Sequence, residues 1–386
     1  MINRASFATI VAVSCVVACG GDDETCPTCP VDVVTTGSGG NVSDGGGTSD
    51  GGGGQDNQGG AGGDGGGTPA CVPTSLSWQT TTPLPAPVFL AEAVVVDDTL
   101  FVLGGTTTGG SSVDVYAAPI GADGTLGSWV TQAPLPYAGG FQSATTDGSR
   151  VFVTGSDIMT GMGFVYYADA SSGSIGAWTE GQGEAPFPLF GHGSFVFGER
   201  LYVVGGFTQM MGGTPTPSSD VISAGLFGDG SLGNWSIHQQ NLLAATNAPG
   251  VTLVGDQVLV MGGSTDPMGN APNGDVQETA VLAAGGTASW SAGVALPAPR
   301  IFHAASAAGD RTIVAGGVAN NTQGEAPQST VWVLPPGGTQ WETDTALPTG
   351  RAGMAAATND QFIFLAGGAA ADLVALDEVL FSAHCQ

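Results

Sequence analysis

The sequence predicts an all-β protein in which six small antiparallel sheets close into a ring. Six of its seven tryptophans recur at intervals of 51, 49, 57, 55 and 51 residues. They are Trp78, Trp129, Trp178, Trp235, Trp290 and Trp341. Glycine doublets that end short apolar runs, such as LFVLGG and LYVVGG, keep the same spacing, and one copy is degenerate at Gly155-Ser156. Two markers in phase indicate a tandem repeat, and strand-like repeats of this length are typical of a closed ring of sheets.

Each repeat is predicted to contain four short strands. In the first complete repeat, residues 91–96 alternate loosely, Asp97-Asp98 form a turn, and an apolar strand over residues 100–103 ends in the glycine doublet. A third strand covers residues 113–119, and a fourth surrounds Trp129. Residue types that tolerate tight hairpins occupy the corresponding turns of the other repeats. The Asp-Gly turns carry too few carboxylates for a calcium loop, so they favour hairpins.

A Leu-Pro step follows the tryptophan in most repeats, for example at Leu84-Pro85, whereas the fourth unit has Leu242-Leu243. The run ending in Gly-Gly, the spaced tryptophan, and the Leu-Pro step with Arg300 or Arg351 beyond it resemble kelch repeats of the galactose oxidase-like type. The resemblance covers residues 71–386 and implies a six-bladed kelch-type β-propeller with four-stranded antiparallel blades. Such motifs define a fold and indicate almost nothing about activity.

The two ends of the repetitive region are predicted to share the sixth blade. The chain enters just before Trp78, a fourth-strand tryptophan without preceding strands, and ends in a third strand at residues 378–385. The N-terminal strand is therefore expected beside the C-terminal one, closing the last blade. Alignment of the repeats places Cys71 and Cys385 opposite each other across the interrupted hairpin, which predicts a disulfide in an exported protein; two free thiols are the alternative.

Residues 1–18 are predicted to be a signal peptide. Arg4 precedes 14 apolar or small residues, a stretch too short to span a bilayer comfortably. The run from Val16 to Gly20 resembles the bacterial lipoprotein signal, which implies that Cys19 is lipidated with acyl chains such as palmitate. An ordinary cleaved signal is the alternative. The resemblance implies anchoring at a bacterial cell-envelope membrane, with the outer membrane favoured, without a spanning segment.

Residues 19–70 are predicted to form a disordered, Gly-rich tether, because they contain too few apolar residues to bury a core. Cys26 and Cys29 favour a small local disulfide over a metal or redox pair, because the tether offers no other ligands nearby. The chain has 33 acidic and six basic residues, a net charge of -27, which disfavours nucleic acid as a partner. A solvated acidic surface on a monomer is favoured over a site for basic ligands.

The loops differ between the two faces of the predicted ring. Residues 207–219, 264–275 and 318–329 form long, polar loops on one face, while the other face carries tight turns. Variable loops on a rigid scaffold are where recognition usually occurs. Because Cys71 lies at a tight turn, the tether is expected to leave from the tight-turn face, so that the long loops point away from the membrane.

The sequence offers few residues for chemistry. Counting back from the glycine doublets gathers His192, Arg300, His303 and Arg351 at one rim of the central channel, where they could bind an anionic group. A structural role, with the side chains hydrogen-bonded to backbone, is the favoured alternative. Glu92 lies one residue out of this register. We predict no catalytic residue, metal or cofactor, because no motif for them stands out.

These observations favour a membrane-anchored binding propeller that recognises a protein or a glycan through its long-loop face. The alternative is a carbohydrate-active enzyme, resembling a sugar epimerase or an oxidase, with its site at the channel mouth. A copper radical oxidase would need a reactive cysteine in the domain, and the predicted disulfide leaves none. An epimerase needs only an acid/base pair and an arginine, so it is harder to exclude.

Overall fold

The computed structural model describes residues 74–138, 141–156, 163–171, 173–181, 190–208, 215–320 and 325–385. Within these residues, antiparallel sheets form six blades, which confirms the predicted six-bladed β-propeller. The signal peptide, Cys19, the tether and Cys71 lie outside the described residues, so their roles remain predictions. No helix in the described part of the chain is long and apolar enough to cross a membrane.

The strands of the first three blades follow the predicted order. After β1 (Gln79–Thr80), blade 1 contains β2 (Glu92–Val96), β3 (Thr99–Leu103), the small hairpin β4 (Thr106–Thr107) and β5 (Gly110–Ser111), β6 (Val115–Pro119) and β7 (Val130–Thr131). Blade 2 contains β8 (Ser143–Thr146), β9 (Arg150–Ser156), β10 (Gly163–Ser171), β11 (Ser174–Ile175) and β12 (Thr179–Glu180). Blade 3 contains β13 (Gly193–Phe197), β14 (Arg200–Val204), the pair β15 (Phe207–Thr208) and β16 (Thr216–Pro217), β17 (Val221–Leu226) and β18 (Leu232–Ile237).

The remaining blades have the same layout. Blade 4 contains β19 (Gly250–Val254), β20 (Gln257–Met261), β21 (Val276–Ala280) and β22 (Ser291–Ala292). Blade 5 contains β23 (Ala304–Ala308), β24 (Arg311–Ala315), β25 (Val331–Leu334) and β26 (Glu342–Thr343). Blade 6 contains β27 (Ala355–Thr358), β28 (Phe362–Ala366), a 3-10 turn (Ala371–Leu373) and β29 (Val379–Ala383). The first strand of each blade contacts the first strand of both neighbours, so the ring is closed around a central channel.

The glycine doublets end the second strand of five blades. Both glycines of each doublet have positive φ, for example 61° at Gly104 and 89° at Gly105, a conformation that side chains disfavour. Blade 2 is the exception, because β9 continues through Gly155 and Ser156 and pairs there with β10. The degenerate doublet therefore marks the one blade whose second strand continues through this position, whereas the second strands of the other five blades end before their glycine doublets.

The recurring tryptophans join consecutive blades. In five of the six, the indole N–H donates to a backbone carbonyl in the segment after the fourth strand of the preceding blade. The pairs are Trp78 with Thr345, Trp129 with Thr82, Trp178 with Ala133, Trp290 with Gln240 and Trp341 with Val294, at 2.8 to 3.2 Å. The segment in which Trp235 would find the equivalent acceptor, residues 182–189, lies outside the described residues. The regular spacing of the tryptophans in the sequence therefore reflects a hydrogen bond that recurs between consecutive blades.

The sixth blade is completed by the N-terminal strand, as predicted. β1 pairs antiparallel with β29, with Gln79 opposite Phe381. The guanidinium of Arg311 donates to the carbonyls of Thr74 and His384, the two ends of the interrupted hairpin, at 3.0 and 2.7 Å. Cys385 is disulfide-bonded. Its predicted partner, Cys71, lies outside the described residues, so that pairing remains a prediction.

Replacing Arg311 with alanine is expected to open the sixth blade. The change removes two charge-assisted hydrogen bonds to backbone carbonyls, one of them buried, so the free energy of unfolding should fall by about 3 kcal/mol. Arg200 begins the second strand of blade 3 at the same register, but it donates to Ser223 of its own blade, so Arg200→Ala is the matched control with a smaller loss. Chemical denaturation measures both. Equal losses would contradict the role of Arg311 in closure.

Candidate functional site

The mouth of the central channel on the long-loop face is lined by a strained backbone. Two positions before each inner strand, all six blades have a residue with positive φ. The six residues are Leu90, Phe141, Gly191, Ala248, Phe302 and Gly353, with φ between 48° and 62°. Four of them are not glycine, and each such residue costs about 1 kcal/mol or more. A conformation repeated in every blade is imposed by the ring, and strain of this kind concentrates at functional sites.

Backbone hydrogen bonds run around this mouth from blade to blade. The amide of Leu90 donates to the carbonyl of Gly353, and Gly353 donates to Phe302, at 2.6 and 2.7 Å. Gly191 donates to Phe141 and Ala248 donates to Gly191, at 3.0 and 2.7 Å. These bonds compensate the left-handed backbone and fix the diameter of the mouth. Repeat spacing predicted only that the neighbouring residues lie at the channel, because positive φ at Leu or Phe has no sequence signature of its own.

Two aromatic rings meet across the axis. Phe141 belongs to blade 2 and Phe302 to blade 5, which are opposite each other, yet their ring centroids are only 6.3 Å apart with an interplanar angle of 43°. Leu90 and Ala248 pack against the same apolar cluster. Phe141 and Phe302 therefore form an aromatic pair across the mouth, which we call the mouth pair.

Polar side chains line the channel next to the mouth pair. A cavity of about 110 Å³ is bounded by Phe141 and Phe302 and by Glu92, His192 and His303. A second cavity of about 180 Å³ shares the last three residues and adds the hydroxyls of Ser143 and Ser194, which hydrogen-bond to each other at 2.8 Å. A third cavity of about 330 Å³ lies between the remaining parts of the inner strands, towards the tight-turn face. We call the first two cavities the chamber.

The titratable groups of the chamber are uncharged at neutral pH. Burial raises the pKa of Glu92 to about 8, although a hydrogen bond from the backbone of Ala144 opposes the shift. Burial lowers the pKa of His192 to about 3. Burial, reinforced by the charge of Arg300, lowers the pKa of His303 to about 3. A chain with a net charge of -27 thus encloses a neutral, polar chamber.

Several buried polar atoms of the chamber have no hydrogen-bond partner among the described residues. They are Oε1 of Gln142, Nδ1 of His192, and both ring nitrogens of His303. Nε2 of His192 lies 2.7 Å from the hydroxyl of Thr154, which itself donates to the carbonyl of Ser143. Nε2 therefore carries the proton, and Nδ1 is left as an acceptor. Buried groups of this kind normally bond to protein, water or ligand, so the chamber has unused capacity for a polar guest.

The structure does not bring the four predicted rim residues into one site. His192 and His303 line the chamber, whereas neither arginine lines its described cavities. Arg300 lies 4.3 Å above the ring of Trp332 and donates to Pro299 and Thr330. Arg351 is fully buried, pairs with Glu378 and donates to the carbonyl of Gly367. This arrangement fits the alternative structural role of the two arginines, and no arginine or lysine is among the described residues that line the two cavities.

Glu92, Phe141 and Phe302 are the site residues that the rim register did not select. Glu92 was one residue out of register, and the phenylalanines precede the rim positions by one residue. A register of six equivalent positions identifies which strand reaches the channel, but it does not identify which neighbouring side chains line it. The described residues contain no group of three or more His, Cys, Asp or Glu placed to hold a metal ion.

The fold and the channel define the chain as a six-bladed β-propeller. It is similar to the solved structure titled "Structure of YjhT", with a TM-score of 0.63, 16% sequence identity, and coverage of 78% of this chain and 95% of that one. At this identity the similarity establishes the fold alone. No protein-family model matches the chain. No curated protein sequence matches it either.

The pH dependence of stability tests the neutral state of Glu92. Its pKa in the folded protein, about 8, exceeds its ordinary value of 4.5, so its contribution to stability is complete below pH 4.5 and is lost as pH rises through 8. Glu92→Gln keeps a neutral side chain at every pH. The melting temperature of the variant, relative to that of the wild type, should therefore increase as the pH rises from 6.5 to 9. The histidines act in the opposite sense, losing stability as pH falls from 6.5 towards 3, so this window reports Glu92. Parallel pH profiles would contradict a neutral Glu92.

Proposed function

We propose that the chain is a kelch-type binding propeller, lipid-anchored at Cys19 in a bacterial cell envelope, that takes a neutral glycan at the channel mouth of its long-loop face. The observation that supports this function most is the mouth pair beside the uncharged chamber. Carbon-bound hydrogens of a sugar ring pack well on aromatic faces, and hydroxyls need donors and acceptors at fixed positions. A protein ligand on the same face is the other partner that the propeller fold accommodates.

The chamber favours a neutral guest over a charged one. The protonated carboxyl of Glu92 can donate one hydrogen bond and accept others, and the neutral histidines can each do both. A charged group entering this enclosure would lose its hydration without an opposite charge to pair with, which is costly. A sugar hydroxyl can instead satisfy the free atoms of Gln142, His192 and His303.

The long loops stand on the same face as the mouth. In blade 3, Phe190 at the entrance to the inner strand pairs with Phe207, which begins the long loop, and their rings stack at 5.4 Å. In blade 4, the loop folds on itself through a hydrogen bond from Thr265 to Ala271, and Asn247 donates to the carbonyl of Asp266. A glycan at the mouth would therefore be within reach of these loops.

The anchor fits this arrangement. The described chain begins at Thr74, whose amide bonds to the carbonyl of His384 at the tight-turn face. A tether that leaves from there would let the long-loop face point away from the membrane, which suits capture of a ligand from solution or from the cell surface.

Removal of the mouth pair is expected to abolish glycan binding. Phe141→Ala removes the more accessible ring of the pair, and Phe302→Ala removes the largely buried ring, 8% exposed, that packs against it. The dissociation constant of a glycan selected from an array should therefore rise at least about tenfold in each variant. Isothermal titration calorimetry on the purified chain measures the effect. Phe227→Ala, which changes an exposed phenylalanine away from the channel, is the control and should bind as the wild type does. Unchanged affinity in both mouth variants would refute this site.

The raised pKa of Glu92 favours a second candidate function, an enzyme acting on the bound sugar. A carboxyl that holds its proton near neutral pH can act as a general acid. Proton NMR of the selected sugar, followed over time with the wild type and with Glu92→Gln, separates the two functions. Turnover that is lost in the variant while binding persists identifies an enzyme; binding without turnover in the wild type identifies a receptor.

Lipid anchoring depends on one thiol. Cys19→Ser removes the sulfur that the lipoprotein signal would acylate, so the variant should no longer incorporate a labelled fatty acid or partition into detergent. Cys385→Ser, which alters a disulfide-bonded cysteine of the folded domain, is the control and should still be labelled. Membrane association that survives Cys19→Ser would contradict lipidation at this residue.

A further inference from the structure

The outer edge of blade 3 differs from that of every other blade. Its fourth strand, β18, spans six residues, with one bulge where its pairing with β17 shifts between Ala224 and Leu226. The fourth strands of the other five blades, β1, β7, β12, β22 and β26, have two residues each. In blades 1 and 4 only an isolated bridge, Ile120 to Leu126 or Val281 to Thr287, precedes this short strand. Short or interrupted outer strands protect a sheet from pairing with other chains. Among the described residues, β18 is the longest outer strand, so blade 3 offers the longest edge for pairing.

The outer side of β18 presents free backbone groups. β18 is the last strand of its sheet, and no strand among the described residues pairs with its outer side. Ser223 lies opposite Ser236, and the amide of His238 donates to Val221. The alternation of an antiparallel ladder therefore directs the amide and carbonyl of Trp235 and Ile237 outward. These groups form a template for another strand.

Exposed apolar side chains flank the same edge. Among the described residues, six large apolar side chains are strongly exposed, and three belong to blade 3 or the segment that leaves it. Phe227 precedes β18, Ile237 ends it and Leu243 follows it, and each is 58% exposed. The ring of Phe227 lies close to Gly233, so it stands beside the start of the strand. Apolar groups gathered along one free edge are typical of an interaction surface.

We propose that β18 is a docking edge for an extended basic segment of a partner protein, which adds to blade 3 as a fifth strand. Main-chain hydrogen bonds to Trp235 and Ile237 would hold the segment, and its apolar side chains would cover Phe227, Ile237 and Leu243. The net charge of -27 attracts a basic segment and opposes a second copy of this chain, which carries the same charge. The surface lies on the outer rim of blade 3 and is independent of the channel.

The test uses a fluorescein-labelled peptide of about eight residues that alternates lysine with valine, and the full-length chain. Fluorescence anisotropy should show binding that weakens as the salt concentration rises. Amide hydrogen exchange of β18 should slow when the peptide is added. A glutamate–valine peptide should not bind.

The matched variants are Ile237→Pro and Thr131→Pro. Both remove an outward amide at the same register, since the amides of Gln132 and His238 bond inward to Val115 and Val221, respectively. Ile237→Pro should weaken binding at least about tenfold, and Thr131→Pro should leave it unchanged. A double variant, Phe227→Ser with Leu243→Ser, keeps the backbone and should weaken binding in the same direction, so the proposal remains testable if the proline variant does not fold. Melting curves verify folding.

Three results would overturn the proposal. The peptide could fail to bind at millimolar concentration, or it could bind the folded Ile237→Pro chain as tightly as the wild type. Sedimentation could instead reveal a dimer of the wild type that Ile237→Pro dissociates, which would make a second copy the occupant of the edge. None of these results bears on the channel, so failure here is distinguishable from failure of the proposed glycan site.

Discussion

The contact between consecutive blades is the constraint on which the rest of the structure depends. Each blade buries its faces against two neighbours, so six blades are stable only if the sixth presents the same surfaces as the others. The tryptophan N–H bonds repeat this contact around the ring. Where the two ends of the chain meet, β1 and Arg311 close the sixth blade and so complete this contact. Burial between blades then stabilises the whole, at about 25 cal/mol for each Å² of apolar surface.

The same constraint shapes the channel. Because the inner strands converge on one axis, the residues that lead into them adopt positive φ in every blade, even where they are phenylalanine or leucine. Their hydrogen bonds from blade to blade hold Phe141 and Phe302 opposite each other. The enclosure next to them removes water from Glu92 and the histidines, and so keeps them neutral. The chemistry of the chamber is therefore a consequence of ring geometry.

The fold was predictable from the sequence because repetition amplifies weak signals. One tryptophan or one glycine doublet says little, but six in phase define the blades, and the incomplete units at the two ends predict how the ring closes. The site was less predictable. His192 and His303 line the channel as expected, but the spacing of the repeats did not identify Glu92 or the mouth pair. Arg300 and Arg351 share the rim register, yet Trp332 and Glu378 hold them in their own blades.

The most direct test of this account is a crystal structure of the chain with its tightest-binding neutral glycan. The account predicts a sugar ring in contact with Phe141 and Phe302, with a hydroxyl hydrogen-bonded to Glu92 or to a chamber histidine. A glycan bound elsewhere on the propeller, with the mouth pair and the chamber unchanged, would contradict it.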